Sequence, residues 1–284
     1  MPELPEVETM RRGILPIVGN TITRASRTPC SKRPIEIKPR IDRLHKRVVG
    51  KKIDAVERLG KRVVVLVESG DRLIFEPRMT GLVLIEDPPT IEHLRFRLEL
   101  KKGPIKEVLF WDRRGLGNVT LLSPKEYQDK LDSGTLGPDA LDISVDELRE
   151  RFKKTQREIK VALLDQSAIA GVGNLYASEI LHAAGIDPRT RCHRLSKNQW
   201  TEIFHCMVDI LKTAIKYEGS TLSDGTYRNA LNESGGYQNE HLVYDKEGKP
   251  CPSCQSGKIK RMVQAQRATF YCPKCQKKTG TRKR

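Results

Sequence analysis

Four cysteines near the end of the chain, Cys251, Cys254, Cys272 and Cys275, restrict its folding more than any other feature. Their spacing is C-x2-C-x17-C-x2-C. A two-residue gap lets one tight turn aim two thiolates at a single point, and two such turns close a tetrahedron around a zinc ion. The segment between the pairs is short and β-like, which predicts a zinc-ribbon hairpin. Four sulfurs leave no coordination position open, so the one zinc is structural rather than hydrolytic. A redox dithiol pair would need a βαβ context that this sequence lacks. Cys30, Cys192 and Cys206 stand alone and read as small apolar residues.

The 284 residues leave room for two domains, and the net charge is +16. With a pI near 9.6, that excess predicts a polyanionic partner, nucleic acid before membrane. No run of 18 apolar residues is present, so no transmembrane helix is expected. The start lacks a charged region followed by an apolar stretch, so no secretory signal is expected either. A cytoplasmic protein follows, and there paired cysteines bind metal rather than form disulfides.

Apolar residues at Val7, Met10 and Ile14, behind Pro5, predict a helix over 5–18. Residues 62–68, 71–75, 81–85, 94–100 and 107–111 are short, β-rich and partly separated by turn signals, the pattern of an antiparallel sandwich or barrel. Residues 133–146 are rich in Gly, Pro, Asp and Ser and read as a linker. Helical spacing follows over 146–156, 159–166, 174–184 and 197–217, with Ser196 as a cap for the last. Residues 218–240 predict a long loop, and 241–276 the cysteine module.

Chemistry concentrates in three further places. If Met1 is trimmed, as methionine before a small residue usually is, Pro2 becomes a secondary amine able to form an iminium with an aldehyde-level carbon. Glu3 and Glu6 stand beside it as proton donors or acceptors. The bland alternative is a residue after the start codon and an acidic first helical turn. In Ala170-Gly171-Val172-Gly173-Asn174 the glycines permit a sharp turn, and Asn174 opens a helix whose N–H groups favour a phosphate; a ligand-free helix–helix turn fits as well. Between the cysteine pairs lie Lys258, Lys260, Arg261, Gln264, Gln266 and Arg267, a DNA contact or merely a solvated hairpin.

Three colinear segments resemble one family, the bacterial formamidopyrimidine-DNA glycosylases. The opening MPELPEVET matches that family and differs from the MPEGPE start of endonuclease VIII; Leu163 to Pro188 matches its helix–two-turn–helix element; Gly248 to Gln276 matches its zinc finger. The resemblance implies an α+β fold, with an N-terminal β-sandwich flanked by helices and a C-terminal helical helix–two-turn–helix domain carrying a zinc-ribbon hairpin. The expected divisions are a catalytic domain at 1–135, a linker at 136–147, the DNA-binding domain and lesion-capping loop at 148–240, and the zinc finger with a basic tail at 241–284.

The resemblance further implies a DNA glycosylase/AP lyase that excises oxidised purines (8-oxoguanine and formamidopyrimidines) from damaged double-stranded DNA in base excision repair. Such an enzyme is expected to work as a monomer, with DNA in a basic cleft between the domains. Pro2 is similar to the nucleophile at C1′, Glu3 to the acid that opens the sugar ring, and Glu6 to a carboxylate that holds the site. Lys61 matches a lysine that reaches a phosphate and the lesion. Lys160, Asn174 and Arg267 match phosphate-gripping residues. Tyr176 belongs to the same DNA-binding element, and His93 matches a phosphate contact. Met79 matches a methionine inserted into the gap left by the extruded base, and Arg114 an arginine facing the orphaned cytosine. An iminium on Pro2 leads to β- and then δ-elimination.

The chain departs from the family in three places. Glu76-Pro77-Arg78 stands where His-Leu-Gly is usual. Arg114-Gly115-Leu116-Gly117 replaces Arg-x-Phe-Gly, so Leu116 is an apolar wedge without a stacking ring. The middle of the 218–238 segment differs from the commoner phenylalanine-containing form. Altered lesion search or opposite-base preference is the expected consequence. Two other readings compete: a non-catalytic damage binder, and an endonuclease VIII-type enzyme for oxidised pyrimidines.

Overall fold

The protein is described from a computed structural model covering residues 2–277. Trimming of Met1 and the basic tail from residue 278 onward lie outside the described residues. The chain forms two compact units, one of residues 1–134 with 214–238, the other of 135–213 with the remainder.

The first unit opens with helix α1 (Leu4–Gly13) and a short 3-10 turn. Strands β1 (Thr21–Arg27) and β2 (Glu36–Lys38) follow, then helix α2 (Ile41–Val48). Next come β3 (Ile53–Leu59), β4 (Arg62–Val67), β5 (Arg72–Glu76), β6 (Gly81–Leu84), β7 (Leu94–Lys101), β8 (Glu107–Asp112) and β9 (Asn118–Leu122), closed by helix α3 (Pro124–Asp132). Two sheets result, ordered β1-β7-β8-β6 and β2-β9-β5-β4-β3. All pairings are antiparallel except β2 with β9. The inward faces meet through aromatic rings: Phe75 of one sheet lies 5.8 Å from Phe96 and 5.7 Å from Phe110 of the other. Val7, Met10 and Ile14 of α1 join this core. The expected sandwich flanked by helices is therefore present.

The second unit contains α4 (Val145–Phe152), α5 (Ile159–Leu163), α6 (Asn174–Ala183) and most of α7 (Lys197–Lys216). It ends in the hairpin β10 (Lys260–Gln264) and β11 (Arg267–Tyr271). Ser196 caps α7 as expected, accepting the Gln199 N–H at 3.3 Å while Gln199 returns the bond at 3.0 Å. The wholly buried Glu179 of α6 accepts N–H groups from Leu242, Val243 and Tyr244 at 2.7–2.9 Å, which fixes the chain entering the cysteine module. Burial still pushes its carboxyl above the ordinary range.

Two expected divisions shift. Residues 214–238 belong with the first unit, because Tyr227 and Ala230 are buried in its core and Ile85 donates to the Ala230 carbonyl at 3.0 Å. The expected linker is packed rather than free: Gly137 and Ala140 donate to Gln166 and Ala170, and Ala140 is fully buried.

Candidate functional site

The N-terminal corner is assembled around Glu6. Pro2, Glu3 and Glu6 are all buried, with Glu3 and Glu6 each 3% exposed. Glu3 is the N-cap of α1, which places Glu6 one turn along the helix and brings its side chain back. Glu6 Oε2 accepts the Glu3 N–H at 2.8 Å, and Oε1 accepts the Ser220 N–H at 2.9 Å. One carboxylate thus fastens the first residues to a segment more than two hundred positions away. The approach is close: at Gly219, whose φ is +77°, an added Cβ would lie 2.9 Å from Glu6 Oε1. The Tyr227 phenol donates to the Glu218 carbonyl at 2.9 Å. Burial, reinforced by the neighbouring Glu6 carboxylate, holds that phenol protonated far above its usual range. The expected long loop is real, exposed at 223–225 and again at Leu231, Glu233 and Ser234, while Tyr227 and Ala230 between them are buried.

Lys61 sits half-buried in the two-residue turn between β3 and β4, where Leu59 pairs with Arg62. Gly60 takes φ +56° in that turn. Glu76 is the first residue of the Glu76-Pro77-Arg78 segment. Burial alone would raise its carboxyl, but Arg62 at 3.0 Å, with Arg78 and Asn118, holds it below the ordinary range. Arg78 pairs with Glu76 at 3.1 Å and adopts φ +52°, a left-handed conformation that glycine takes without strain. The Glu76–Arg78 pair therefore shapes the turn that presents Met79, which is 37% exposed.

Arg114 is exposed and Leu116 half-buried in the loop after β8. His93 stands edge-on to Trp111 at 5.5 Å and pairs with Glu92 at 3.0 Å, so it is a mostly enclosed histidine at a strand start. Residues that sequence reasoning passed over hold this region: the buried Asp112 accepts the Gly117 N–H at 2.7 Å and the Thr80 hydroxyl.

Lys160, Asn174 and Arg267 come together in the second unit. Asn174 opens α6, and its amide donates to the Ala268 carbonyl at 3.0 Å, beside the exposed Arg267. Lys160 is not a surface lysine. It is fully buried, and its ammonium bonds Asn174 Oδ1 and, at 3.4 Å, the Ala268 carbonyl. It thereby holds the side chain that opens α6 and the backbone next to Arg267. Tyr176 is likewise fully buried, two residues along α6 from Asn174. Gln166 staples the preceding glycine turn, donating to the Val172 carbonyl at 2.8 Å and accepting the Gly171 N–H at 3.1 Å.

The four cysteine sulfurs lie within 4.8 Å of one another. Cys251 and Cys275 stand 3.6 Å apart, Cys254 and Cys272 3.8 Å. A tetrahedron with zinc–sulfur bonds of about 2.3 Å has sulfur–sulfur edges of about 3.8 Å, so the cluster fits one zinc. Gly257 leaves the room: a Cβ there would fall 2.7 Å from Cys272 Sγ. The buried His182 of α6 points Nε2 at Cys251 Sγ from 3.4 Å, the outer-shell contact expected of a metal site. The site is a structural zinc centre.

Known proteins match this arrangement along the whole chain. The family model described as the formamidopyrimidine-DNA glycosylase N-terminal domain matches residues 1–119, the corresponding H2TH domain matches 136–226, and a zinc finger found in FPG and IleRS matches 248–278. A formamidopyrimidine-DNA glycosylase of Chloroflexus aurantiacus is 38% identical over 281 residues, covering 97% of this chain and 98% of its own. A mutant FPG of Lactococcus lactis, solved with Fapy-dG-containing DNA, is similar with TM-score 0.86 and 32% identity, covering 98% of this chain and all of that one. The Lactococcus lactis protein with abasic-site DNA gives TM-score 0.86 and 31% identity, over 97% and 100% of the two chains.

Proposed function

The chain belongs to the formamidopyrimidine-DNA glycosylase family, and on that premise we propose that it excises oxidised purines through a Schiff base on Pro2 and then cleaves the strand by β,δ-elimination. Membership makes it a DNA glycosylase with AP lyase activity that acts in DNA repair. The observation that carries the finer reading is the buried corner in which Glu6 fastens Glu3, and so the start of the chain, to the Ser220 backbone.

In this reading the Pro2 nitrogen attacks C1′ and the glycosidic electron pair leaves with the base. Glu3 donates a proton to the sugar ring oxygen, the ring opens, and an iminium remains between Pro2 and C1′. The iminium acidifies C2′; loss of that proton expels the 3′ phosphate, loss of the C4′ proton expels the 5′ phosphate, and water releases Pro2. Both Glu6 oxygens accept backbone N–H groups, so Glu6 acts by positioning and Glu3 carries the proton. Lys61 steadies the lesion strand, Met79 and Leu116 fill the gap, and Arg114 faces the orphaned base. Asn174 and Arg267, set by Lys160, hold phosphates. The zinc holds the hairpin that carries Arg267.

Incubation with duplex DNA carrying 8-oxoguanine opposite cytosine tests this function. The expected product is a one-nucleotide gap with phosphate on both sides. Processing of thymine glycol in strong preference to 8-oxoguanine would instead favour the endonuclease VIII-type reading, and binding without cleavage the damage-binding one.

A further inference from the structure

Two separate loops carry the residues assigned to the gap: the β5–β6 turn with Met79, and the loop after β8 with Arg114 and Leu116. The Asp112 side chain joins them, with Thr80 beside it. Asp112 is fully buried, and its carboxylate bonds groups of both loops. Oδ1 accepts the Thr80 hydroxyl from the first loop and the Arg114 N–H of the second at 3.2 Å. Oδ2 accepts the Gly117 N–H at 2.7 Å. Thr80 Oγ1 closes the circuit by accepting the Arg114 N–H at 3.0 Å. From the other side, buried Arg95 donates to the carbonyls of Asp112 at 2.8 Å and Arg113 at 3.4 Å.

A buried carboxylate is costly unless donors satisfy it, and here every donor is a group whose position sets a probing residue. Thr80 is the neighbour of Met79, and the Arg114 and Gly117 N–H groups bracket Leu116. The loop has no slack to absorb a loss. Gly115 holds φ +61° with the Arg33 carbonyl 2.4 Å from where a Cβ would stand, and at Gly117 a Cβ would meet the Phe110 ring at 2.8 Å.

We infer that Asp112 and Thr80 are positioning residues that lock Met79, Arg114 and Leu116 into one preformed unit for filling the duplex after base extrusion. This rests on the gap-filling roles proposed above. An asparagine at position 112 accepts through one oxygen only, so at least one of the three donors would face an NH2 group. Filling the gap matters when a base leaves a duplex, and not at an abasic site in a single strand.

The test compares two rates on the full zinc-loaded chain: excision of 8-oxoguanine from a duplex, and borohydride trapping at a single-stranded abasic site. Asp112→Asn and Thr80→Val are expected to slow the duplex rate by more than about tenfold, with single-strand trapping within about twofold and Thr80→Ser restoring the duplex rate, the scale of a buried charge-assisted hydrogen bond. If Asp112→Asn fails to fold, the Thr80→Val and Thr80→Ser pair decides alone. Equal loss on both substrates, or a duplex rate unaffected by Thr80→Val, overturns the inference. Met79→Ala separates the two levels. If it too leaves the duplex rate unchanged, the gap-filling reading fails and takes the inference with it; if it slows that rate while Thr80→Val does not, the inference alone fails.

Discussion

The N-terminal corner and the zinc hairpin solve the same problem by opposite means. At the corner, hydrogen bonds from Glu6 hold the start of the chain against Ser220, more than two hundred positions on. At the hairpin, cysteine pairs three residues apart hold everything locally, and one ion supplies the closing force. The corner is buried, and the hairpin is exposed at Arg267. On the proposed mechanism the covalent step falls where the fold is most interdependent, and the hold on a polyanion falls on a module that stands by its metal.

Removing the chemistry should leave the grip. Pro2→Thr is expected to lower excision and trapping by at least about a thousandfold, as loss of a nucleophile does, while duplex affinity stays near wild type. A gel-shift and cleavage series checks both; unchanged cleavage would remove Pro2 from its role.

Removing the grip should leave the corner. Metal-binding energy in such sites is folding energy, on the order of 10 kcal/mol, so chelation is expected to unfold the hairpin and weaken duplex binding by roughly a hundredfold. Near-ultraviolet circular dichroism from Trp111 of the first unit should persist. If that signal collapses together with zinc release, the two regions are not separable in the way the contrast requires.

Glu6→Gln tests the corner alone. The new amide can accept only one of the two N–H groups from Glu3 and Ser220, so a stability loss of about 1–3 kcal/mol is expected in urea denaturation. Zinc content should be unchanged.

The smallest effect concerns the charged turn beside Met79. Glu76 has its folded pKa lowered from the ordinary 4.5 by Arg62, Arg78 and Asn118, against the opposing effect of burial. Its contribution is therefore present above that ordinary value and is lost as pH falls through the lowered one. Glu76→Gln should cost about 1 kcal/mol near neutrality, and its urea midpoint should converge with the parent's on acidification. A gap that persists in acid would contradict the pairing.

The same contrast explains what could be read in advance. The zinc site follows from spacing alone, because its ligands are neighbours in sequence. The corner does not: nothing local links Glu6 to Ser220, and without the family resemblance Pro2 and its two carboxylates read as readily as a start residue and an acidic first helical turn. The regular strands β4, β5, β7 and β8 were legible from their apolar runs. Strands β1 and β3 were not, since register shifts after Ile22 and Ile53 break their alternation. Helix α3 buries no residue, so it has no apolar stripe, although Ser123 and Glu126 form a capping box that would have marked its start. Helix α2 is short and buries only Leu44 and Val48. The burial of Lys160 and Tyr176 was not legible, because basic and aromatic residues beside a glycine turn suggest exposure, whereas the Lys160 ammonium bonds Asn174 from within. The part of Asp112 in joining two loops exists only in three dimensions.

The central claim is a covalent bond at Pro2. Borohydride trapping on a duplex with 8-oxoguanine opposite cytosine, followed by peptide mapping of the adduct, tests it directly, because reduction turns an iminium into a stable crosslink. The account predicts a crosslink on Pro2 as the first residue of the chain. A crosslink mapped to a lysine such as Lys61, or none while the duplex is bound and the start is trimmed, would contradict it.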